Sequence, residues 1–105
     1  MSEKKQEKKL LEFPGDGRHS PERAKELIRA CLKLGVLGYS TPALAEMKDD
    51  CLDTVDVVSV LRGGWVEEPE LEKGTWRYRV KTNRLCVVVA FRSLTHVVVV
   101  TAWRM

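Results

Sequence analysis

The segment 75–103, TWRYRVKTNRLCVVVAFRSLTHVVVVTAW, decides the fold because it is apolar with a strand-like pattern. In its first part three apolar side chains alternate with three cations, Trp76, Tyr78 and Val80 with Arg77, Arg79 and Lys81. Residues 85–92 and 95–103 are apolar and rich in valine, which is typical of strands buried on both faces. The short links 82–83 and 93–94 predict hairpins between them. This third of the chain is therefore predicted to be an antiparallel meander.

Upstream of the meander, the apolar spacing is helical. Ser20-Pro21-Glu22 predicts a helix start, with a capping hydroxyl followed by proline at the first helical position. Gly35 predicts the end of that helix. Thr41-Pro42 repeats the start signal for a shorter helix, whose inward side chains are expected to be Leu44, Met47 and Cys51.

A third helix is expected over 55–62, with Asp53 as its cap and Gly63-Gly64 as its end. A weak strand over 65–71 precedes the meander. Helices followed by strands predict an α+β fold, with N-terminal helices packed on an antiparallel β-meander of about four strands.

The 105 residues fit one domain. Residues 1–18 alternate Lys and Glu and contain Pro14-Gly15-Asp16-Gly17, so we expect a flexible charged tail before a single domain over 19–105. No apolar stretch follows the first lysines, and no apolar run is long enough to span a bilayer. These observations predict a cytoplasmic protein without membrane contact.

The three cysteines are widely spaced, which argues against a disulfide framework and against a zinc site. Each lies in an apolar stretch, so Cys31, Cys51 and Cys86 are all expected to be buried thiols. No clustered Asp, Glu or His set indicates a metal, and no cofactor motif is present. The absence of P-loop, GxGxxG, HExxH and GxSxG motifs argues against nucleotide hydrolases, dehydrogenases, metalloproteases and α/β-hydrolases.

Charge is distributed unevenly behind the net value of +3. Residues 21–72 carry six basic and eleven acidic residues, whereas residues 73–105 carry seven basic residues and no acid. An acid-free basic third indicates a surface for polyanions. The alternative is a solvated sheet face whose charge bias has no function.

Two-residue hairpins would place Lys81 opposite Arg84 and Arg92 opposite Thr95. The side chains on one face would then be polar or cationic: Arg77, Arg79, Lys81, Arg84, Arg92, Thr95 and Thr101. The other face would be apolar and pack on the helices; it would hold Trp76, Tyr78, Val80, Leu85, Val87, Val89, Phe91, Val98 and Val100. This register also puts His96 on the apolar face, and a bulge of one residue would transfer it to the basic face.

A rigid basic face suits RNA, because arginine binds phosphate in a bidentate manner. Cleavage by attack of the 2′-hydroxyl needs a base, an acid for the leaving oxygen and cations for the phosphate. His96, the only histidine expected within the helices and strands, is a general acid or base, or a turn residue without a role. Tyr78 stacks a base, donates a proton or belongs to the core. Trp103-Arg104 stacks a base and binds phosphate, or anchors an edge strand.

Residues 20–104 resemble MqsR-type mRNA interferases and the small domains related to them. The resemblance is carried by AKELIRACLKLG, YSTPALAEM, VDVVSVLRGG, GTWRYRV and VVVVTAWR, in this order. It implies a RelE-like fold, metal-independent cleavage of mRNA and a cognate antitoxin that binds and silences the toxin. It also implies a basic residue on the last strand, here Arg104. A histidine that often precedes the second helix in related domains is replaced by Tyr39-Ser40.

The leading hypothesis is a toxin-type endoribonuclease that acts on mRNA, is held by an antitoxin and has the ribosome as a further candidate partner. Its expected catalytic residues are His96, Tyr78, Arg79, Arg92 and Arg104, and its expected RNA-binding residues are Arg77, Arg79, Lys81 and Arg84. The alternatives are a non-catalytic nucleic-acid-binding module and a protein-interaction domain that uses the same basic face. Arginines scattered over several sides, or buried against carboxylates of the middle segment, would count against the nuclease.

Overall fold

The computed structural model of the chain describes residues 17–105. The helices are α1 (Pro21–Leu34), α2 (Thr41–Asp49) and α3 (Thr54–Gly63). The strands are β1 (Val36–Tyr39), β2 (Trp65–Val66), β3 (Glu70–Glu72), β4 (Thr75–Lys81), β5 (Leu85–Ser93) and β6 (His96–Arg104).

The strands form one sheet in the order β1-β6-β5-β4-β2, and β3 also pairs with β4. β1 is parallel to β6, and the other pairs are antiparallel. The predicted α+β class is confirmed, but the sheet is mixed and six-stranded rather than a four-stranded antiparallel meander. Residues 1–16 of the predicted tail lie outside the described residues, whereas its last residue, Arg18, forms an ion pair with Glu68 at 2.7 Å.

Side-chain caps define where each helix begins. The Ser20 hydroxyl accepts a hydrogen bond from the backbone N–H of Arg23 at 3.1 Å, as its sequence predicts. In α2 the cap is Ser40, one residue before the predicted Thr41. Asp53 and Asp56 form a reciprocal capping box at the start of α3.

Two features of the edges were not predicted. β1 has only four residues and contains Gly38, so it shows no readable alternation. The predicted strand over 65–71 is divided into β2 and β3 around Pro69, which has no N–H to donate to the ladder. Together β2 and β3 run antiparallel along the outer edge of β4.

The core lies between the helices and one face of the sheet, which we term the core face. On β4 and β5 it contains Tyr78, Val80, Val87 and Val89, as predicted, all at most 1% exposed. Burial of such apolar side chains is the main stabilising contribution to a domain of this size.

On β6 the predicted inward residues are wrong. Val97 and Val99 are fully buried in the core, whereas Val98 and Val100 are half-buried and lie outside the core. The reason is register, since Phe91 pairs with Val97, one residue away from the hairpin alignment that the sequence predicts. A shift of one residue exchanges the two faces of a strand.

α2 packs along β6 with a narrower apolar side than expected. Ala43 and Met47 are buried, but the predicted Leu44 and Cys51 are exposed. Cys51 follows the helix with a φ of 56°, in the left-handed region, which turns the chain away from the stripe that a continuing helix would form. Cys31 and Cys86 are buried, as predicted.

Gly64 joins the helical layer to the sheet by a close approach. A Cβ atom at this position would lie 2.6 Å from the Lys81 carbonyl oxygen and 2.7 Å from that of Val60. Only glycine therefore lets the end of α3 rest on β4.

Candidate nucleic-acid interface

The face of the sheet opposite the core, which we term the open face, carries the cations of β4. Arg77, Arg79 and Lys81 alternate with the buried Tyr78 and Val80, so all three lie on this face. We call these three residues the basic row. Their partners across the sheet are small or medium side chains of β5, with Arg79 opposite Val88 and Lys81 opposite Cys86. The cations are thus gathered on one face, as the sequence predicts.

Three glutamates of the neighbouring edge, Glu67, Glu70 and Glu72, compensate the basic row, and we term them the acidic edge. Glu67 pairs with Lys81 at 3.1 Å, Glu70 hydrogen-bonds Arg79, and Glu72 lies 3.9 Å from Arg77. The cations keep 27%, 40% and 25% of their side-chain surface for Arg77, Arg79 and Lys81. The three cations are therefore paired with carboxylates of the middle segment, although they remain partly exposed. Such pairing is the arrangement that would count against a nuclease.

The pairing also affects protonation on this face. The hydrogen bond from Arg79 to Glu70 raises the pKa of Arg79 above its ordinary value, which favours its charged form further. Burial raises the pKa of the Cys86 thiol, although the charges of Lys81 and Arg79 act in the opposite direction. Cys86 therefore stays protonated at neutral pH and is unsuited to nucleophilic attack.

A depression of about 460 Å³ lies beside the basic row on the open face. Its cations are Arg77 and Arg92, and no carboxylate from residues 17–105 lines it; the other lining residues are Ser40, Thr75, Ala90, Phe91, Val98 and Val100. Arg92 is exposed because it lies in the irregularity between the paired residues Phe91 and Ser93. The Arg77 Nε is buried without a hydrogen-bond acceptor within residues 17–105. The depression can therefore receive an anionic group between two guanidinium groups.

His96 lies on the open face, because the register shift that the sequence analysis considered for it is present. A Cβ atom on Gly38 would lie 3.4 Å from the His96 Nε2 and 3.6 Å from a Val98 methyl carbon, so the two side chains share one side. Val98 lines the depression, whereas His96 lies next to Val98 on the same face and is not one of the lining residues. The sequence register alone places it on the wrong face.

Three other predicted site residues, Tyr78, Arg84 and Arg104, do not lie on this surface. Tyr78 is 1% exposed in the core, and its hydroxyl accepts a hydrogen bond from the His19 N–H at 2.8 Å. Arg84 lies in the turn between β4 and β5 and borders a depression that also contains Asp56 and Ser59 of α3. Tyr78 is in the core because side chains alternate along β4. Arg84 is in a turn because the link between β4 and β5 is longer than predicted.

Arg104 caps the C-terminal end of α2. Its guanidinium group donates hydrogen bonds to the carbonyl oxygens of Asp50 and Cys51 at 3.2–3.3 Å, just after α2. Its backbone N–H donates to the Asp50 carboxylate at 2.8 Å. Carbonyls at a helix C-terminus need such donors, so the position of Arg104 is explained by structure.

His19, which the sequence places in the domain but outside its helices and strands, is half-buried and packs against the aromatic side chains of β4 and β5. Its ring meets that of Phe91 edge-on at 5.7 Å and lies 6.4 Å from that of Tyr78. Burial, and secondarily the charge of Arg23, lower the pKa of His19 below 6.5.

Within residues 17–105 no group of His, Cys, Asp and Glu could hold a metal ion. None of the described helices is long and apolar enough to cross a membrane. Comparisons with family models, curated protein sequences and solved structures find no match to this chain.

Proposed function

We propose that this protein binds single-stranded RNA on the open face and cleaves it as a metal-independent, toxin-type endoribonuclease. The observation that carries the proposal is that Arg77 and Arg92 line one depression of the open face, and that His96 lies on the same face next to Val98, a lining residue of that depression. A proton acceptor and two guanidinium groups would supply the base and the cations that attack of a 2′-hydroxyl on its own phosphate needs, and water would supply the acid.

In the proposed reaction, neutral His96 accepts the proton of the 2′-hydroxyl while the oxygen attacks phosphorus. Arg77 and Arg92 stabilise the added negative charge on the phosphate oxygens. The bond to the 5′-oxygen breaks, and that oxygen takes a proton from water, because Tyr78 is in the core and cannot supply it. The products are a 2′,3′-cyclic phosphate and a 5′-hydroxyl, and His96 returns its proton to solvent.

RNA must compete with the acidic edge for the cations of the basic row. Phosphates that approach the basic row replace carboxylates on the same cations, so RNA binding on β4 requires the ion pairs to open. Exposed ion pairs contribute only about 0–1 kcal/mol each, and a chain of phosphates can displace them. Binding therefore begins at Arg92 and extends along β4.

The proposed partners follow from the same chemistry and from the resemblance. mRNA is the substrate, with the ribosome as a further candidate. An antitoxin that silences the protein would place carboxylates on the open face, as the acidic edge already does within the chain.

A second candidate is a non-catalytic module that binds RNA or an acidic protein segment through this face. Two observations favour it. All three cations of the basic row are paired with glutamates, and the described residues that line the depression include no histidine.

The discriminating experiment incubates the purified protein with an end-labelled single-stranded mRNA fragment and maps the new ends. The proposal expects 2′,3′-cyclic phosphate ends without added metal. His96→Asn is expected to lower the cleavage rate by about 10²- to 10⁴-fold, the contribution of a general base, while RNA binding is retained. The control His19→Asn replaces the histidine beside the aromatic side chains of β4 and β5 and is expected to retain cleavage when it is folded.

The other outcomes separate the candidates. Binding of RNA without cleavage would favour the module, and unchanged cleavage by His96→Asn would exclude this residue as the base. Arg77→Gln with Arg92→Gln is expected to abolish both binding and cleavage. Loss of neither would remove the open face from the proposal.

A further inference from the structure

A second cationic surface lies on the helical layer. Arg29, Leu32 and Lys33 of α1 and Arg62 of α3 line a groove of about 400 Å³, which we term the cationic groove. Arg29 and Lys33 are four residues apart and therefore lie on one side of α1. All three cations are exposed.

The charges of this groove are uncompensated, unlike those of the basic row. Within residues 17–105, none of its three cations forms an ion pair or a side-chain hydrogen bond. The neighbouring acids have other partners, since Glu26 pairs with Arg23 and Asp56 belongs to the capping box of α3.

Helix geometry explains only part of this cluster. Lys33 and Arg62 occupy the last turns of their helices, where a cation stabilises the helix dipole. Arg29 lies further from the end of α1, and the dipole gives no reason for cations of two helices to line one groove. Their arrangement fits an anionic ligand.

The groove adjoins a second depression along α3, lined by two valines and by polar side chains. This depression has a volume of about 300 Å³ and shares Arg62 with the groove; its other lining residues are Thr54, Val55, Val58 and Ser59. Val55 is 72% exposed, so its side chain is available for contact with a partner. The combined surface offers three cations at one end and aliphatic side chains at the other.

We propose that this surface docks an acidic amphipathic segment of a partner protein. Carboxylates of the segment would pair with the cationic groove, and an aliphatic side chain would cover Val55 and Val58. Aliphatic walls favour a protein over RNA, because bases are held by aromatic side chains and neither depression is lined by one. α1 and α3 cover the core face, so a partner seated here leaves the open face accessible.

The test uses a fluorescently labelled synthetic peptide, with leucines at helical spacing and glutamates between them, and a matched peptide with glutamine for glutamate. Anisotropy is measured for the wild type and for Arg29→Gln/Arg62→Gln, which removes one cation from each helix. Binding by this variant is expected to be about tenfold weaker, since each exposed ion pair contributes a factor of roughly two to five. Val55→Ser is expected to weaken binding by about fivefold through lost apolar contact.

The control Lys48→Gln/Lys73→Gln removes the same charge from exposed positions outside the groove and is expected to bind like the wild type. The proposal is overturned if the control loses as much affinity, if the two peptides bind equally, or if neither binds. It is also overturned if labelled RNA, rather than the peptide, depends on Arg29 and Arg62. RNA cleavage by these variants is expected to be unchanged, so failure here is distinguishable from failure of the proposed nuclease.

Discussion

Removal of the acidic edge is expected to strengthen RNA binding. In the variant Glu67→Gln/Glu70→Gln/Glu72→Gln the three cations of the basic row lose their carboxylate partners, and the formal charge of the chain rises from +3 to +6. Glutamine keeps the size of glutamate and one of its two acceptor oxygens. The change therefore acts on the charge of the open face.

The size of the effect follows from the ion pairs that RNA no longer has to open. Each exposed pair contributes about 0.2–1 kcal/mol, so three contribute about 0.6–3 kcal/mol, or about 3- to 150-fold in affinity. The salt dependence should change as well. Each additional phosphate neutralised on a single strand steepens the plot of log affinity against log salt by about 0.7, which gives about 2 for three cations.

The assay is a fluorescence titration of a labelled single-stranded RNA at several salt concentrations. A matched control, Glu22→Gln/Glu26→Gln/Asp49→Asn, adds the same net charge away from the open face. The reasoning is refuted if the control gains as much affinity as the acidic-edge variant, or if neither affinity nor salt slope changes. Thermal unfolding of both variants verifies that they are folded.

Three further predictions concern the framework of the fold. Arg104→Ala is expected to destabilise the protein by about 1 kcal/mol in denaturant unfolding, through lost hydrogen bonds to the end of α2, and to leave RNA binding intact; loss of cleavage in a folded variant would show a direct role instead. Gly64→Ala is expected to cost about 1–3 kcal/mol because its Cβ would meet the Lys81 carbonyl, and an unchanged melting temperature would contradict this contact. Because the pKa of His19 is lowered, the unfolded chain takes up a proton first as the pH falls below about 6.5, so stability should decline on acidification. His19→Asn should remove this part of the decline, and identical pH profiles of unfolding would exclude it.

The helices could be predicted from local chemistry. Ser20 and Asp53 cap the starts of α1 and α3 with their side chains, and Gly35 follows the end of α1, as the sequence predicts. The alternation of β4 likewise predicts which side chains meet the core. These signals are local, so a single sequence reveals them.

The register of β6 could not be predicted, because it depends on two irregularities in its pairing with β5. The bulges beside Arg92 and Val100 have no signature in a run of valines, where either face is equally apolar. This matters for function, since one residue decides whether His96 joins the core or the open face. β1 was missed for a related reason, because a short parallel edge strand is defined by its partner.

The charge pairing was the other property hidden from the sequence. Counting charges by segment predicts a basic face. However, Glu67, Glu70 and Glu72 lie outside the acid-free third in sequence, and the pairing of β2 and β3 with β4 brings them next to its cations. Three cations without an ion pair to residues 17–105 lie on α1 and α3, within the segment that is acidic overall. Net charge along a chain is therefore a poor guide to charge on a surface.

The central claim, that RNA occupies the open face, is tested most directly by titrating the isotope-labelled protein with a short single-stranded RNA and following its amide and side-chain NMR signals. The account predicts that signals of Arg77, Arg92, His96 and Val98 shift first and saturate together, while those of the cationic groove stay in place. Shifts confined to α1 and α3, or none at all, would contradict it.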